Sequence, residues 1–351
     1  MNVLSIASEF QISDNVVGYY PLGNGHINTT FLITTNGGQS YVLQKINTNV
    51  FKDVDKLMDN IYKVTDFLRK KGYDSLEIVK AKDNKLYYSN KEGCFRLYIY
   101  INNAVCYEGV KDLDAIYNAG KAFGTLHRYL NGFPAETLFE IIPDFHNTQK
   151  RYEVLLAAIT SDSVDRVKKC ENEIQVLKRF EHEYNRINEL IDKGEVKLAV
   201  THNDPKINNV LFDRTTNDIK AVVDLDTVMP GSYLYDYGDA LRSLFTGQYE
   251  DSKDLSNIKI DYILFETYTK GYLGEMKDTL SNAEKELLPF AIFLMTAELG
   301  IRFLTDYING DKYFKIDYEE HNLVRARTQI KLTVDIYNNL QTLSEIIKKL
   351  F

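Results

Sequence analysis

The chain has 351 residues, of which 44% are hydrophobic and 26% charged, and its formal net charge is −8. This composition is typical of a globular protein with two lobes or domains, and it excludes a largely disordered chain. The acidic balance argues against nucleic acid or an anionic membrane as the partner. Three cysteines without a C-x-x-C pair, and an N-terminus unlike a signal peptide, predict a cytoplasmic protein.

The N-terminal third of the sequence reads as an antiparallel sheet with one main helix. Strands are predicted at residues 28–34 and 40–45, which an Asn-Gly-Gly turn joins into a hairpin. A helix is predicted at residues 54–71, where apolar residues recur at helical spacing. Three more strands at residues 78–101 close a five-stranded sheet. We therefore predict an N-terminal lobe at residues 1–102.

The rest of the chain, residues 103–351, is mostly helical and forms the predicted C-terminal lobe. A first helix is predicted at residues 114–130, and residues 153–193 read as two surface helices. The longest apolar run, residues 287–297, is too short to span a bilayer. Four helices are predicted near the C-terminus, at residues 235–246, 258–272, 283–308 and 321–350.

Between these regions, residues 200–242 place polar residues in the order that phosphoryl transfer requires. Moving a phosphoryl group from ATP to a hydroxyl needs a carboxylate that orients the acceptor, and oxygen ligands that hold Mg²⁺. Protein kinases supply these groups from a His-Arg-Asp loop with a following Asn, and from the Asp of Asp-Phe-Gly. Here His202 to Asp204 and Asn209 form such a loop, and a predicted hairpin brings Asp224 next to Asn209. We predict Asp204 as the base, and Asn209 and Asp224 as magnesium ligands.

This block resembles the aminoglycoside phosphotransferase and choline kinase superfamily. Within it, D-L-D-T-V-M-P-G at residues 224–231 and Y-D-Y-G-D-A-L-R at residues 235–242 are similar to the N-acetylhexosamine 1-kinases. Those enzymes phosphorylate the anomeric hydroxyl of N-acetylglucosamine or N-acetylgalactosamine. The resemblance implies an α+β, bilobal protein-kinase-like fold, with a small antiparallel sheet in the N-lobe and a larger helical C-lobe. It also implies ATP and Mg²⁺ as cofactors and a small-molecule sugar as the substrate.

The predicted nucleotide site lies at the mouth of the first hairpin. In a kinase-like fold, Gly23, Asn24, Gly25 and His26 would cover the ATP phosphates, because glycines let backbone N–H groups come close. By fold analogy, the backbone at Ile101 would form the hinge that binds adenine.

One departure from the kinase pattern concerns the lysine that usually binds the ATP phosphates. Aligning Y-V-L-Q with V-A-I-K puts Gln44 at that position, and Lys45 is one residue further on. Strand side chains alternate between faces, so only one of the two can face the cleft. The following helix contains no Glu, so we predict that the Lys–Glu pair is missing. Phosphate positioning would then fall to Gln44, the glycine loop and Mg²⁺.

The substrate side is predicted from fewer signals. Asp226 follows Asp224 by two residues and could accept a hydrogen bond from a sugar, widen the metal site, or serve as a cap or turn residue. Arg302 follows Glu298 by four residues, so an ordinary ion pair is the alternative to a place at the cleft. The resemblance implies that Arg302 and Tyr313 hold the sugar.

A further implication of the resemblance concerns two acidic residues. Asp236 and Asp239 would brace the catalytic loop, and as Asp residues at a helix start they could equally serve as caps. We expect a monomer or a weak homodimer.

Two rival functions remain open from the sequence. The acceptor could be an aminoglycoside, choline or homoserine, because acidic residues outnumber basic ones between residues 250 and 320. The replacement at Gln44 also leaves room for a non-catalytic, pseudokinase-like protein that only binds nucleotide. Converging carboxylates in the pocket would favour a cationic acceptor, whereas Arg302 with Tyr313 would favour a neutral sugar.

Overall fold

The computed structural model describes residues 1–23, 27–107, 112–247 and 250–351. Its N-terminal part is an antiparallel sheet in the order β1-β2-β3-β6-β4, with β5 also paired to β6. The sheet has six strands rather than the five expected. The strands are β1 (Val16–Pro21), β2 (Thr29–Thr35), β3 (Ser40–Ile46), β4 (Ile78–Val79), β5 (Tyr88–Asn90) and β6 (Gly93–Ile99).

The two faces of this sheet are covered by different helices. Helix α1 (Val3–Ala7) and Phe10 pack on the face that carries Tyr41 and Leu43. Helix α2 (Val54–Lys70) lies in the other hydrophobic cluster, which also contains Ile46 of β3. Because alternate residues of β3 face opposite sides, this pattern turns Gln44 towards α2 and Lys45 towards α1.

Helix α2 is fixed to the C-terminal part by a buried amide. The Asn60 side chain donates to the carbonyl oxygens of Phe139 (2.8 Å) and Val228 (2.9 Å) and accepts from the Phe139 N–H (2.9 Å). All three bonds reach backbone atoms, so they hold the helix at a defined height above the segment that follows Asp224. In protein kinases this helix carries the Glu that pairs with the phosphate-binding Lys. Here the amide of Asn60 anchors α2.

The C-terminal part is mostly helical, as predicted, with short strands around the candidate site. Strands β7 (Ala104–Val105), β9 (Val210–Asp213) and β10 (Ile219–Val222) form one sheet, and β8 (Ala199–Thr201) pairs with β11 (Met229–Gly231). The helices are α3 (Leu113–Leu130), α4 (Thr148–Ser161), α5 (Glu171–Lys178), α6 (Arg186–Asp192), α7 (Tyr233–Thr246), α8 (Tyr262–Met276), α9 (Asn282–Ile308), α10 (His321–Asn338) and α11 (Leu340–Lys348).

Three helical predictions were wrong in detail, of which the one at residues 258–272 is shifted by four residues to α8 (Tyr262–Met276). Residues 153–193 hold the end of α4 and two more helices rather than two helices in all, because Asp162 adopts a left-handed conformation that ends α4. The predicted helix at residues 321–350 is divided in two at Asn339.

Helix α9 begins at a capping box of Ser281 and Glu284 and continues for 27 residues. It is long and apolar enough to cross a membrane, unlike the shorter run read from the sequence, but 89% of its apolar window is buried inside the fold. A helix that is apolar on all sides is expected at the centre of a large helical core.

The helices of the C-terminal part approach closely where glycines face each other. A Cβ atom at Gly120 of α3 would lie 2.2 Å from the Tyr268 carbonyl oxygen of α8, and one at Gly271 would lie 2.1 Å from the Tyr117 carbonyl oxygen. The two backbones therefore pack at a separation that only glycine permits. This packing supports Tyr272, which reaches the candidate site from α8.

Candidate active site

The loop after β8 is held by one buried carboxylate. Asp236, in the first turn of α7, accepts hydrogen bonds from the backbone N–H groups of His202 (2.6 Å) and Asn203 (2.7 Å). It also pairs with Nε2 of His127 (2.8 Å), whose Nδ1 contacts the Tyr272 hydroxyl (3.0 Å). Burial by itself would raise the pKa of Asp236, but the hydrogen bond and charge of His127 outweigh it and lower the pKa. Asp236 is therefore a fixed anion that braces the loop, and His127 is a satisfied core histidine.

The predicted base, Asp204, lies at the end of this braced loop. Asn203 before it has φ of 64°, a left-handed conformation that Asn tolerates and that aims the next residue into the cleft. The Asp204 side chain is 31% exposed, and its Oδ1 lies 2.8 Å from Nζ of Lys206. Its Oδ2 lies 3.4 Å from Nδ2 of Asn209, so one carboxylate oxygen remains only weakly engaged.

Lys206 was not singled out from the sequence, although it stands only two residues after Asp204. Burial would lower its pKa, but the attraction of Asp204 outweighs that effect and raises the pKa. Lys206 therefore stays protonated and contributes a positive charge beside the predicted base. Its position inside the loop from His202 to Asn209 could have identified it as a site residue.

The two predicted metal ligands lie side by side. The Val223 N–H donates to the Asn209 carbonyl oxygen (2.8 Å), which joins the start of β9 to the end of β10. The Asn209 amide nitrogen donates to the Asp204 carbonyl oxygen (2.8 Å), which leaves its Oδ1 for a cation. Asp224 follows with φ of 62°. The hairpin thus brings Asn209 and Asp224 together in the way that the sequence indicates.

The charges around Asp224 suit a divalent cation. The side chain is accessible from the cleft, yet protein surrounds it on most sides, and this desolvation raises its pKa to about 6 together with the charges of Asp226 and Asp204. A cation bound there would relieve the repulsion. Across the described ranges there is no group of three His, Cys, Asp or Glu residues arranged for a metal. One amide and one carboxylate fit Mg²⁺, which takes its remaining oxygens from phosphate and water.

Gln44 and Asp226 meet at a buried arginine that the sequence analysis missed. Arg96 of β6 is 1% exposed and lies directly opposite Gln44 in the sheet register. Its Nη1 lies 2.5 Å from Oδ1 of Asp226, and Asn28 donates to Oδ2 of the same carboxylate (2.6 Å). Asp226 was expected to face a sugar or the metal. Instead it is buried, and both of its oxygens are engaged with the N-terminal part.

Of the predicted nucleotide residues, Asn24, Gly25 and His26 lie outside the described residues. Gly23 has φ of 69°, so the chain adopts a conformation there that favours glycine. Ile101 follows β6, and within the described part of the chain no hydrogen-bond partner occurs for its backbone N–H or carbonyl group. Both backbone groups are therefore available to a planar ligand such as adenine.

Arg302 and Tyr313 lie together, as the sequence reading requires. Arg302 lies over the rings of Phe145 (5.5 Å), Phe314 (5.5 Å) and Tyr313 (6.0 Å). It forms no ion pair with Glu298, whose oxygens accept from Nδ1 of His146 and the Thr148 hydroxyl, both at 2.8 Å.

The segment that carries Tyr313 is held by a single carboxylate. Asp306 accepts from the backbone N–H groups of Lys312, Tyr313 and Phe314 at 2.8 to 2.9 Å. The Tyr313 ring is 68% exposed and open to a ligand.

The aromatic cluster around Arg302 connects to the catalytic loop. His146 lies next to Phe145, and its charge acts on Asp239 together with those of Arg242 and Lys206. Lys206 in turn pairs with Asp204. Asp239 accepts from Nε of Arg242 (2.6 Å), and among the described residues no hydrogen bond joins it to the loop, so it does not brace the loop as Asp236 does.

Several solved structures share this fold. The aminoglycoside phosphotransferase from Alicyclobacillus acidocaldarius has a TM-score of 0.67 at 11% identity, covering 99% of this chain and 97% of that chain. Choline kinase from Cryptosporidium parvum has a TM-score of 0.59 at 15% identity, covering 99% of each chain. Amicoumacin kinase hAmiN, solved with AMP-PNP, Ca²⁺ and Ami, has a TM-score of 0.58 at 16% identity, covering 95% and 93%.

These likenesses show the fold, and they agree with the predicted α+β, kinase-like class. A family model described as the phosphotransferase enzyme family (APH) matches residues 19–257, which is more than half of the chain. The chain therefore belongs to the phosphotransferase enzyme family (APH), and it shares its fold with aminoglycoside phosphotransferases and choline kinases.

Proposed function

We propose that this phosphotransferase uses Mg²⁺ and ATP to phosphorylate a sugar hydroxyl, and that its acceptor is the anomeric hydroxyl of an N-acetylhexosamine. Asp204 orients the hydroxyl and takes its proton, and Lys206 holds the other carboxylate oxygen in place. Asn209 and Asp224 would hold Mg²⁺, which would neutralise charge on the phosphates when bound. The AMP-PNP and Ca²⁺ bound to amicoumacin kinase support a nucleotide and a divalent cation in this fold.

The acceptor class rests on one observation: Arg302 has no acidic partner among the described residues and lies over three aromatic rings. A second arginine, Arg151, is close enough that burial and the charge of Arg302 lower its pKa. The two guanidinium groups balance the carboxylates of Glu298 and Asp144, which also act on Arg151, so there is no excess of negative charge here to favour a cationic acceptor such as choline or an aminoglycoside. Planar donors beside an exposed Tyr hydroxyl and aromatic faces suit a neutral sugar with an amide.

The test is phosphoryl transfer from Mg-ATP to a panel of N-acetylglucosamine, N-acetylgalactosamine, glucose, kanamycin, choline and homoserine, with phosphorus NMR to locate the product phosphate. We expect an anomeric phosphate on an N-acetylhexosamine. Phosphate on kanamycin, choline or homoserine would refute the sugar assignment. No transfer to any acceptor, with nucleotide still bound, would favour the non-catalytic alternative.

A variant pair tests the role of Arg302 in the same assay. Arg302→Gln should raise KM for the sugar on the order of tenfold or more, because a charge-assisted hydrogen bond is lost, and should leave KM for ATP unchanged. The matched control is Arg327→Gln, which removes an arginine of α10 that pairs with Glu173 of α5. An unchanged sugar KM in Arg302→Gln would contradict the assignment.

A further inference from the structure

Arg96 is among the largest fully buried side chains described, and the proposed chemistry gives it no role so far. It lies on β6 directly opposite Gln44 of β3. Side chains opposite each other on antiparallel strands have Cβ atoms about 4.5–5.5 Å apart and share one face of the sheet. Arg96 therefore lies on the neighbouring strand, directly opposite the position that carries the phosphate-binding lysine in kinase-like folds.

Two side chains determine where the guanidinium lies. Gln44 accepts from Nε of Arg96 (2.9 Å), and its own amide nitrogen donates to the Thr30 hydroxyl (3.1 Å), which fixes the orientation of the amide. On the other side, Asp226 contacts Nη1 and is itself held by Asn28. The guanidinium thus lies between the sheet and the segment that begins with the predicted metal ligand Asp224.

This arrangement leaves hydrogen-bonding capacity unused. Nη1 of Arg96 forms an ion pair with Oδ1 of Asp226 (2.5 Å) and Nε bonds to Gln44, whereas no hydrogen-bond partner for Nη2 occurs among the described residues. A guanidinium has five N–H donors, and a buried one that uses only part of them is seldom kept in native structures without a ligand, a water or a role for the rest. The remaining donors lie beside Asp226, two residues from Asp224 and the predicted metal.

The charges near Asp224 point in the same direction. Asp204, Asp224 and Asp226 are three carboxylates that act on one another, and Arg96 and Lys206 are the cations that act on them. Lys206 is committed to Asp204. Arg96, which pairs with Asp226, is the cation that lies on the side of the sheet.

We propose that Arg96 is the fixed cation that binds the nucleotide phosphates, and that Gln44 and Asp226 position it. The cation has moved from β3 to the neighbouring strand, and the acid that orients it has moved from α2 to Asp226. Asn60 of α2 then takes over the anchoring of that helix to the backbone at Phe139 and Val228. This inference rests on the proposed use of ATP and explains the absence of the Lys–Glu pair.

The experiment compares the affinities of Mg-ATP and adenosine for the full chain by calorimetry. Arg96→Gln should weaken ATP binding by about 30-fold or more, because a desolvated charge pair is lost, and should leave the adenosine affinity within about twofold. The matched control is Lys45→Gln, which removes one positive charge from the residue after Gln44, paired with Phe95 on the opposite face of the sheet. That control should change neither affinity.

The alternative is that Arg96 only joins the two lobes. Arg96→Gln would then lower the melting temperature while changing ATP and adenosine affinity by the same factor, and that outcome overturns the proposal. If wild-type protein binds no Mg-ATP at all, the proposed function and the proposed role of Arg96 are both overturned, whereas an equal change of both affinities in Arg96→Gln overturns only the latter.

A second measurement uses only the wild-type protein, so it does not depend on whether a variant folds. The Nε proton of Arg96 in wild-type protein can be identified by NMR from its contact with Gln44. We expect its resonance to shift with Mg-AMP-PNP and not with adenosine. Equal shifts with both ligands, or none with either, would rule out contact with the phosphates.

Discussion

At the scale of single residues, Asp204 is the side chain on which the proposed chemistry depends. Its carboxylate is partly open to the cleft and is oriented by Lys206 and Asn209. Asp204→Asn keeps the shape but removes the base, so kcat should fall by about 10²–10⁴-fold while the ATP dissociation constant stays within about threefold. Steady-state kinetics and calorimetry on one preparation measure both quantities.

The control for this prediction is Asp83→Asn, which changes an exposed carboxylate that pairs only with Lys85. Its kinetics should match those of the wild type. A kcat near the wild-type value in Asp204→Asn would show that another group takes the proton.

At the scale of elements, the close packing of α3 against α8 supports the site through Tyr272 and His127. In Gly271→Ala, the added methyl group would meet the Tyr117 carbonyl oxygen at 2.1 Å. We expect the free energy of unfolding to fall by about 1–3 kcal/mol, as overpacking in a core does. Urea unfolding, followed by circular dichroism, measures the change.

The same helix offers a control of opposite sign. Gly274 is exposed, and no atom lies within 4 Å of the position that its Cβ would take. Gly274→Ala should therefore be neutral or stabilise the protein by up to about 1 kcal/mol through helix propensity. If both variants are equally stable, the helices separate more easily than this packing indicates.

At the scale of the whole molecule, one hydrophobic cluster extends from α2 and Ile46 through the helices of the C-terminal part. This cluster crosses the predicted boundary between residues 102 and 103, while the cluster on the α1 face of the sheet lies wholly in the N-terminal part. We expect a single cooperative thermal transition, because neither part would keep a complete core without the other.

Nucleotide and metal should shift this transition only together. Asn209 and Asp224 are too few ligands to hold Mg²⁺ tightly without phosphate, so Mg²⁺ alone should leave the melting temperature unchanged. Mg-ATP at 100 times its dissociation constant should stabilise the fold by about 2.7 kcal/mol, and EDTA should remove most of that gain. Calorimetric scans with each addition test this. A large rise with Mg²⁺ alone would indicate a structural metal instead.

The features that the sequence predicted best are local ones. Asp204, Asn209 and Asp224 are joined by one loop and one hairpin, so their spacing in the chain already determines that they meet. The predicted end of helix α2 differs from the observed end by one residue, because its apolar face and the glycine that ends it, Gly72, belong to one short stretch of sequence. The roles of these site residues remain predictions until they are measured.

The features that the sequence missed depend on distant partners. Asn28 binds Asp226 across 198 positions, and Asn60 binds Val228 across 168. Arg96 could not be distinguished from any other strand arginine until β3 and β6 were paired and Asp226 was folded beneath them. Asp226 was read as a ligand of metal or sugar because no local pattern reveals that a buried arginine occupies it.

The sequence by itself determined the individual helices and strands and the order of the polar groups, because hydrophobic periodicity and motif spacing act over short stretches of chain. Its resemblance to a known family implied the fold class and the phosphotransferase chemistry. The tertiary structure alone decided that Arg96 lies between Gln44 and Asp226, which carboxylates are already paired, and that Arg302 is free of Glu298. Those outcomes depend on which side chains meet after burial. Without water, the free energy of a polar group depends strongly on whether it has a hydrogen-bonding or ionic partner.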